Sequence, residues 1–144
     1  MRYLCIDYGS KKVGFANSDD EGEFAFPLMI SPNDGSLVRD TLEIVKAMNI
    51  DKVIIGLSLN NDGKENKIAE KAKEFGLELK LKNINVDYEK EWYTTFEARK
   101  QPEAKQDVDD SAAALILQRY LDRVNPKKYE DEPDAEDSDE DGES

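Results

Sequence analysis

The stretch "YLCIDYGSKKVGFANSD", residues 3–19, carries the feature on which the fold turns. An apolar run, Tyr3 to Ile6, ends in Asp7, and a second run, Lys12 to Asn17, follows the break "GSKK". Two short apolar runs joined by a glycine-containing break predict a hairpin. A third strand is predicted at about Glu23 to Pro27, after the turn "SDDEGE", so the chain opens as an antiparallel meander. Asp7 has two readings at this point: an aspartate that opens a tight turn before glycine, or a functional carboxylate at a strand end. Local sequence leaves both open.

Further along, the periodicity changes. In "SLVRDTLEIVKAMN" the apolar residues Leu37, Val38, Leu42, Ile44, Val45 and Met48 recur at mostly helical spacing, after a candidate N-cap at Asp34 or Ser36. "DKVIIG" is a continuous apolar strand of the kind buried on both faces. The loop "GLSLNNDG" leads into a helix, "KENKIAEKAKEFG", predicted to close at Gly76. Alternation in "LELKLKNINVDYE" then predicts a strand with Ile84, Val86 and Tyr88 on one face. Thr94 and Glu97 form a capping box for a short helix, and a last helix is expected from about Asp107 to Val124, stopping before Pro126. The order βββαβαβαα implies a mixed five-stranded α/β sheet, three antiparallel strands then parallel ones, flanked by helices. Right-handed crossovers leave few alternatives to a ribonuclease-H-like arrangement.

Composition bounds the chemistry. The 144 residues suffice for one domain, and with 38% hydrophobic and 37% charged residues the core must be concentrated on a few elements. No apolar run reaches membrane-spanning length and the first residues lack a signal-peptide pattern, so the expectation is a cytoplasmic protein. The lone Cys5, inside the first apolar run, is expected to act as a small core residue. Residues 129–144 hold ten Asp/Glu and no Lys/Arg, so only −3 of the net −13 belongs to the rest of the chain. The folded domain is therefore expected over residues 1–128, with a disordered acidic tail at 129–144.

Carboxylates dominate the candidate site, because the chain has no histidine. On a helical wheel at about 100° per residue, Asp109 shares the apolar arc of Ala113, Ile116 and Tyr120. A charge aimed at the core side is costly unless it is paired or bound to a cation, which favours a site role for Asp109. Asp107 suits a helix N-cap instead. A third acid is expected from the end of the strand after "INV", where Glu89 and Glu91 are both available. Three carboxylates converging beyond parallel strand ends would be oxygen ligands for Mg²⁺ or Mn²⁺, the requirement for metal-assisted phosphodiester cleavage.

Taken together, these residues resemble the YqgF/RuvX family, Holliday-junction-resolvase-like proteins of ribonuclease-H-like fold implicated in maturing the 5′ end of pre-16S ribosomal RNA. The resemblance covers nearly all of residues 1–124. "IDYGSKKVGFANSD" is similar to the family's D-x-G-x-x-R-I-G-x-A-x-S-D, "VIIGLSLNNDGKEN" to V-V-G-L-P-L-N-M-D-G, and "VDDSAAALILQRYL" to V-D-x-x-A-A-x-x-I-L-Q-x-Y-L. It implies Asp7, Glu91 and Asp109 as the catalytic and metal-binding acids. Against the family's D-E-R-x-T-T, the stretch "KEWYTT" keeps Glu91 but puts Lys90 and Trp92 beside it. Lys90 reverses a charge, expected to weaken metal affinity, while the Trp92 indole is suited to stacking on an unpaired base. Ser58 replaces a proline and Lys12 an arginine.

Phosphate contacts are expected from Lys11, Lys12, Lys64, Arg99 and Lys100, provided that they cluster. The leading expectation is a metal-dependent endonuclease acting on structured RNA, with branched DNA as the alternative substrate. Ribosomal precursor particles are candidate partners, and a monomer or homodimer the candidate states; cutting both strands of a two-fold junction would require the dimer. Rival readings are a binding protein of the same fold with weakened chemistry, motivated by Lys90 and Trp92, and a nucleotide-binding protein of the actin or sugar-kinase type, disfavoured by the short chain.

Overall fold

The computed structural model describes residues 1–60, 62–92 and 112–126. Five strands, β1 (Tyr3–Tyr8), β2 (Lys12–Ser18), β3 (Ala25–Pro32), β4 (Lys52–Leu59) and β5 (Val86–Trp92), form one sheet in the order β3-β2-β1-β4-β5. The three N-terminal strands pair antiparallel, whereas β4 lies parallel to both β1 and β5. Three helices are described, α1 (Leu37–Ala47), α2 (Lys67–Leu81) and α3 (Ala112–Val124). This is the mixed sheet expected from the element order.

Alternation along the central strands divides the core into two layers. Leu4, Ile6, Val53, Ile55 and Leu57 face α1 and α2, packing with Leu37, Phe75 and Leu79. Tyr3, Cys5 and Ile54 face the other way, against Ala113, Ile116, Leu117, Tyr120 and Leu121 of α3. Cys5 is a buried free thiol, as expected.

Three local expectations are corrected. The third strand begins later and runs further than Glu23 to Pro27. The Asp19 carboxylate accepts hydrogen bonds from the Glu23 and Phe24 backbone N–H groups at 2.8 and 3.0 Å, which extends the turn. Pro27 does not end the strand, because β3 is an edge, where a missing N–H is tolerated. Gly76 does not close α2. The helix continues to Leu81, and Ala69, Ala72, Phe75, Gly76 and Leu79 form its buried stripe. Consequently Leu77 to Leu81 belongs to the helix, and the following strand starts at Val86. Gly76 is there for closeness: a Cβ would overlap the Tyr88 hydroxyl and lie 3.1 Å from Ile55 Cδ1.

The helix starts follow local chemistry. Asn66 caps α2, its side chain accepting from Ala69 N–H at 2.9 Å. At α1 the N-cap position is Ser36, which makes no side-chain cap; Asp34 instead accepts from the Ser36 N–H and hydroxyl at 3.0 and 2.7 Å. The α3 helix ends at Val124, before Pro126. The short helix expected at Thr94, the start of the last helix at Asp107 and the acidic segment 129–144 lie outside the described residues.

Candidate active site

Asp7 occupies the carboxyl half of the central strand, with Gly14 of β2 and Gly56 of β4 as its register partners. Both neighbours lack side chains, and α3 uses the space. A Cβ on Gly14 would lie 3.7 Å from both the Ala113 and Asp7 Cβ atoms, and one on Gly56 would lie 2.9 Å from Ile116 Cδ1. The helix therefore seats against the backbone beside Asp7. Its carboxylate is largely withdrawn from water, and burial pushes the carboxyl above its ordinary value. Among the described residues it makes no hydrogen bond or ion pair.

On β5, Glu89 shares the rung of Asp7 through Gly56, and Glu91 stands two residues further on, opposite Ser58. Strands spaced about 4.8 Å apart put the Asp7 and Glu89 backbones about 10 Å from each other. All three acids lie on the α3 face of the sheet. Their fields meet at Cys5, whose thiol is pushed well up by burial first and then by the charges of Asp7, Glu91 and Glu89.

Two arginines of α3, one turn apart, reach these glutamates. Arg123 pairs with Glu89 and Arg119 with Glu91. The pairs differ in burial: the Glu89 side chain is 7% exposed, that of Glu91 28%. Ile116 closes the space over Gly56, while Ser58 and Glu91, two residues further along, are half-buried. Glu89 is thus a buried, neutralised group, and Glu91 the accessible one. Below them Tyr120 donates a 2.8 Å hydrogen bond to Asp87.

Lys90 falls on the opposite face of β5. It is exposed and pairs in register with Leu57, which packs toward α1 and α2. Its charge therefore lies across the sheet from Asp7 and Glu91.

Lys11 on the β1–β2 connection, Lys12 at the start of β2 and Lys64 on the β4–α2 connection are exposed, at the end of the sheet where β1 and β4 terminate. Asn33 ties the first connection down: its side chain donates to the Gly9 carbonyl at 2.7 Å and its backbone N–H to the Lys11 carbonyl at 2.9 Å. Trp92 is the last residue of β5, in register with Leu59. Asp109, Arg99 and Lys100 lie outside the described residues.

Among the described residues, a different acidic group, Asp19, Glu21 and Glu23, has carboxylate oxygens within 4.8 Å of one another. It belongs to the β2–β3 turn, at the end of the sheet away from Asp7, where Asp19 serves backbone N–H groups.

The family model described as RuvX, Holliday junction resolvase, matches residues 1–123. The chain belongs to this family. A relative from Sulfurihydrogenibium sp. (strain YO3AOP1), provisionally named a pre-16S rRNA nuclease, is 34% identical over 133 residues, covering 86% of this chain and 92% of its own. One of the same name from Streptococcus thermophilus (strain ATCC BAA-491 / LMD-9) is 36% identical over 138 residues, covering 86% and 99%. Among solved structures, the fold is similar to that of T. thermophilus RuvC in complex with a Holliday junction substrate, with a TM-score of 0.53 at 15% identity over 87% of this chain and 97% of that one. Fowlpox virus resolvase in complex with Holliday junction DNA gives a TM-score of 0.50 at 14% identity over 87% and 99%. These likenesses establish the ribonuclease-H-like fold for this RuvX chain.

The arginines at 119 and 123 escaped the sequence reading. A signal was present, since two arginines at i, i+4 match two glutamates at i, i+2. Their pairing, however, joins elements that only the tertiary fold brings together.

Proposed function

We propose that this RuvX protein is a nuclease hydrolysing phosphodiester bonds in structured nucleic acid, with pre-16S ribosomal RNA as its substrate. One observation carries the reading. Asp7, at the carboxyl end of the central strand, is a largely buried carboxylate without a cation partner among the described residues, and Glu91 stands accessible on the same face.

Such a donor set fits Mg²⁺ or Mn²⁺, which prefer carboxylate oxygens. Asp7 and Glu91 would hold the ion, with Asp109 as the third acid. Bound there, a divalent ion would supply an activated water and offset charge on the scissile phosphate. The exposed Lys11, Lys12 and Lys64 would steer the phosphate backbone to this edge, joined by Arg99 and Lys100, and Trp92 would stack on an unpaired base. The position of Lys90 on the far face removes one motive for reading the protein as a binder with weakened chemistry.

Purified wild-type and Asp7→Asn proteins, given a precursor-like 16S RNA and a four-way DNA junction with Mg²⁺ or Mn²⁺, test this directly. Cleavage of the RNA by the wild type is expected, with a loss of more than about 100-fold in the variant, since even groups one shell removed from a metal contribute 10- to 100-fold. Undiminished cleavage by Asp7→Asn would sink the site. Preference for the junction would reassign the substrate to branched DNA.

A further inference from the structure

The two ion pairs between α3 and β5 look alike on paper, yet they cannot do the same work. Arg123 is held twice, by buried Glu89 and by the Tyr120 ring, over which its guanidinium lies 5.2 Å from the centroid. The contrast lies in the glutamates: Arg123 is itself 58% exposed, but its loss would leave Glu89 buried and uncompensated. Arg119 is 54% exposed, and it pairs with the more open Glu91. Solvent-exposed pairs of this kind are weak and readily exchanged.

Glu91 is also the carboxylate assigned above to a divalent ion, and a guanidinium and a metal compete for the same oxygens. We propose that Arg119 is an exchangeable counter-ion of the active site: it neutralises Glu91 before the metal arrives, is displaced by it, and then takes a phosphate of the bound nucleic acid. The inference rests on the reading of Glu91 as a metal ligand. Two features favour it. Arg119 starts beside the acids, so its release leaves a guanidinium next to the place where a phosphate must sit. A planar guanidinium suits bidentate phosphate binding.

The full-length chain tests this without reference to turnover. Mn²⁺ affinity is measured by electron paramagnetic resonance for wild type, Arg119→Gln, Arg119→Lys and Glu91→Gln, each checked for an unchanged thermal melt without metal. Binding of an RNA hairpin is then measured in Ca²⁺ over a series of salt concentrations. Removing a competitor held only by an exposed ion pair should tighten Mn²⁺ binding in Arg119→Gln by up to about fivefold, with Arg119→Lys in between. The same Gln variant should bind RNA more weakly, its salt dependence reduced by about one phosphate contact. Weaker or unchanged Mn²⁺ binding in Arg119→Gln, where Glu91→Gln abolishes it, would overturn this inference alone, leaving Arg119 as a strut that positions Glu91. Mn²⁺ binding indifferent to Glu91→Gln would overturn the metal site and this inference with it.

Discussion

Asp7 sits where an uncharged carboxyl is more comfortable than a charged one. Burial raises its pKa, so the folded state holds this proton more tightly than the unfolded chain does. By linkage the metal-free protein then loses stability as pH rises from the unfolded value, about 3.9, through the raised folded one, and stays at that lower level beyond. Asp87 behaves oppositely. Burial would raise it, but the hydrogen bonds from the Tyr120 hydroxyl and the Tyr88 N–H, with Lys52 and Arg123 nearby, hold it below the ordinary value, so it stabilises the fold until acid protonates it. Asp7→Asn should therefore melt above the metal-free wild type at neutral pH, with the difference vanishing as pH falls through the pKa of Asp7. Mg²⁺ should raise the melting temperature of the wild type and not of the variant. A variant that melts lower at neutral pH would give Asp7 a structural role. The end of an apolar run made Asp7 a candidate in one dimension, although a turn-opening aspartate fitted the local sequence equally well. The partners of Glu89 and Glu91 were not, since Arg119 and Arg123 lie 28 and 34 residues away from them.

Elements in this fold are seated by what is missing from them. Gly76 in α2 was read as a stop because glycine commonly ends helices, but helical periodicity carries on through it to Leu79 and the glycine is needed for contact with β5. Alanine there would gain about 1 kcal/mol of helix propensity. Against that, its methyl group would push into the Tyr88 hydroxyl and crowd Ile55. Overpacking of this kind costs about 1–3 kcal/mol, so urea unfolding of Gly76→Ala should show a net loss. Adding Tyr88→Phe should return part of it by removing the obstructing oxygen. A Gly76→Ala protein as stable as the wild type would mean that α2 slides outward at no cost. The same logic explains why β3 was misplaced. Pro27 looks like a terminator in isolation, and only the knowledge that β3 is an edge strand makes it tolerable.

For the whole molecule, topology was the most legible property. Short linked strands, then strands separated by helices, admit few right-handed arrangements, and the observed sheet is the one they imply. Long-range contacts were the least legible, because periodicity reports which face of an element is apolar and not what lies opposite. The sheet order has one more consequence. Asp7 belongs to β1, hydrogen-bonded on both sides by β2 and β4, whereas Glu91 belongs to β5, which has a neighbouring strand on one side within the described sheet. Amide hydrogen exchange should then report slow, global opening for residues 4–7 and faster, local opening for residues 87–91. Equal protection of the two strands would refute this. The two acids would thus answer to different clocks: one anchored to the last part of the protein to open, the other on a strand that can peel away, so that heat would dismantle the pair before it melts the sheet.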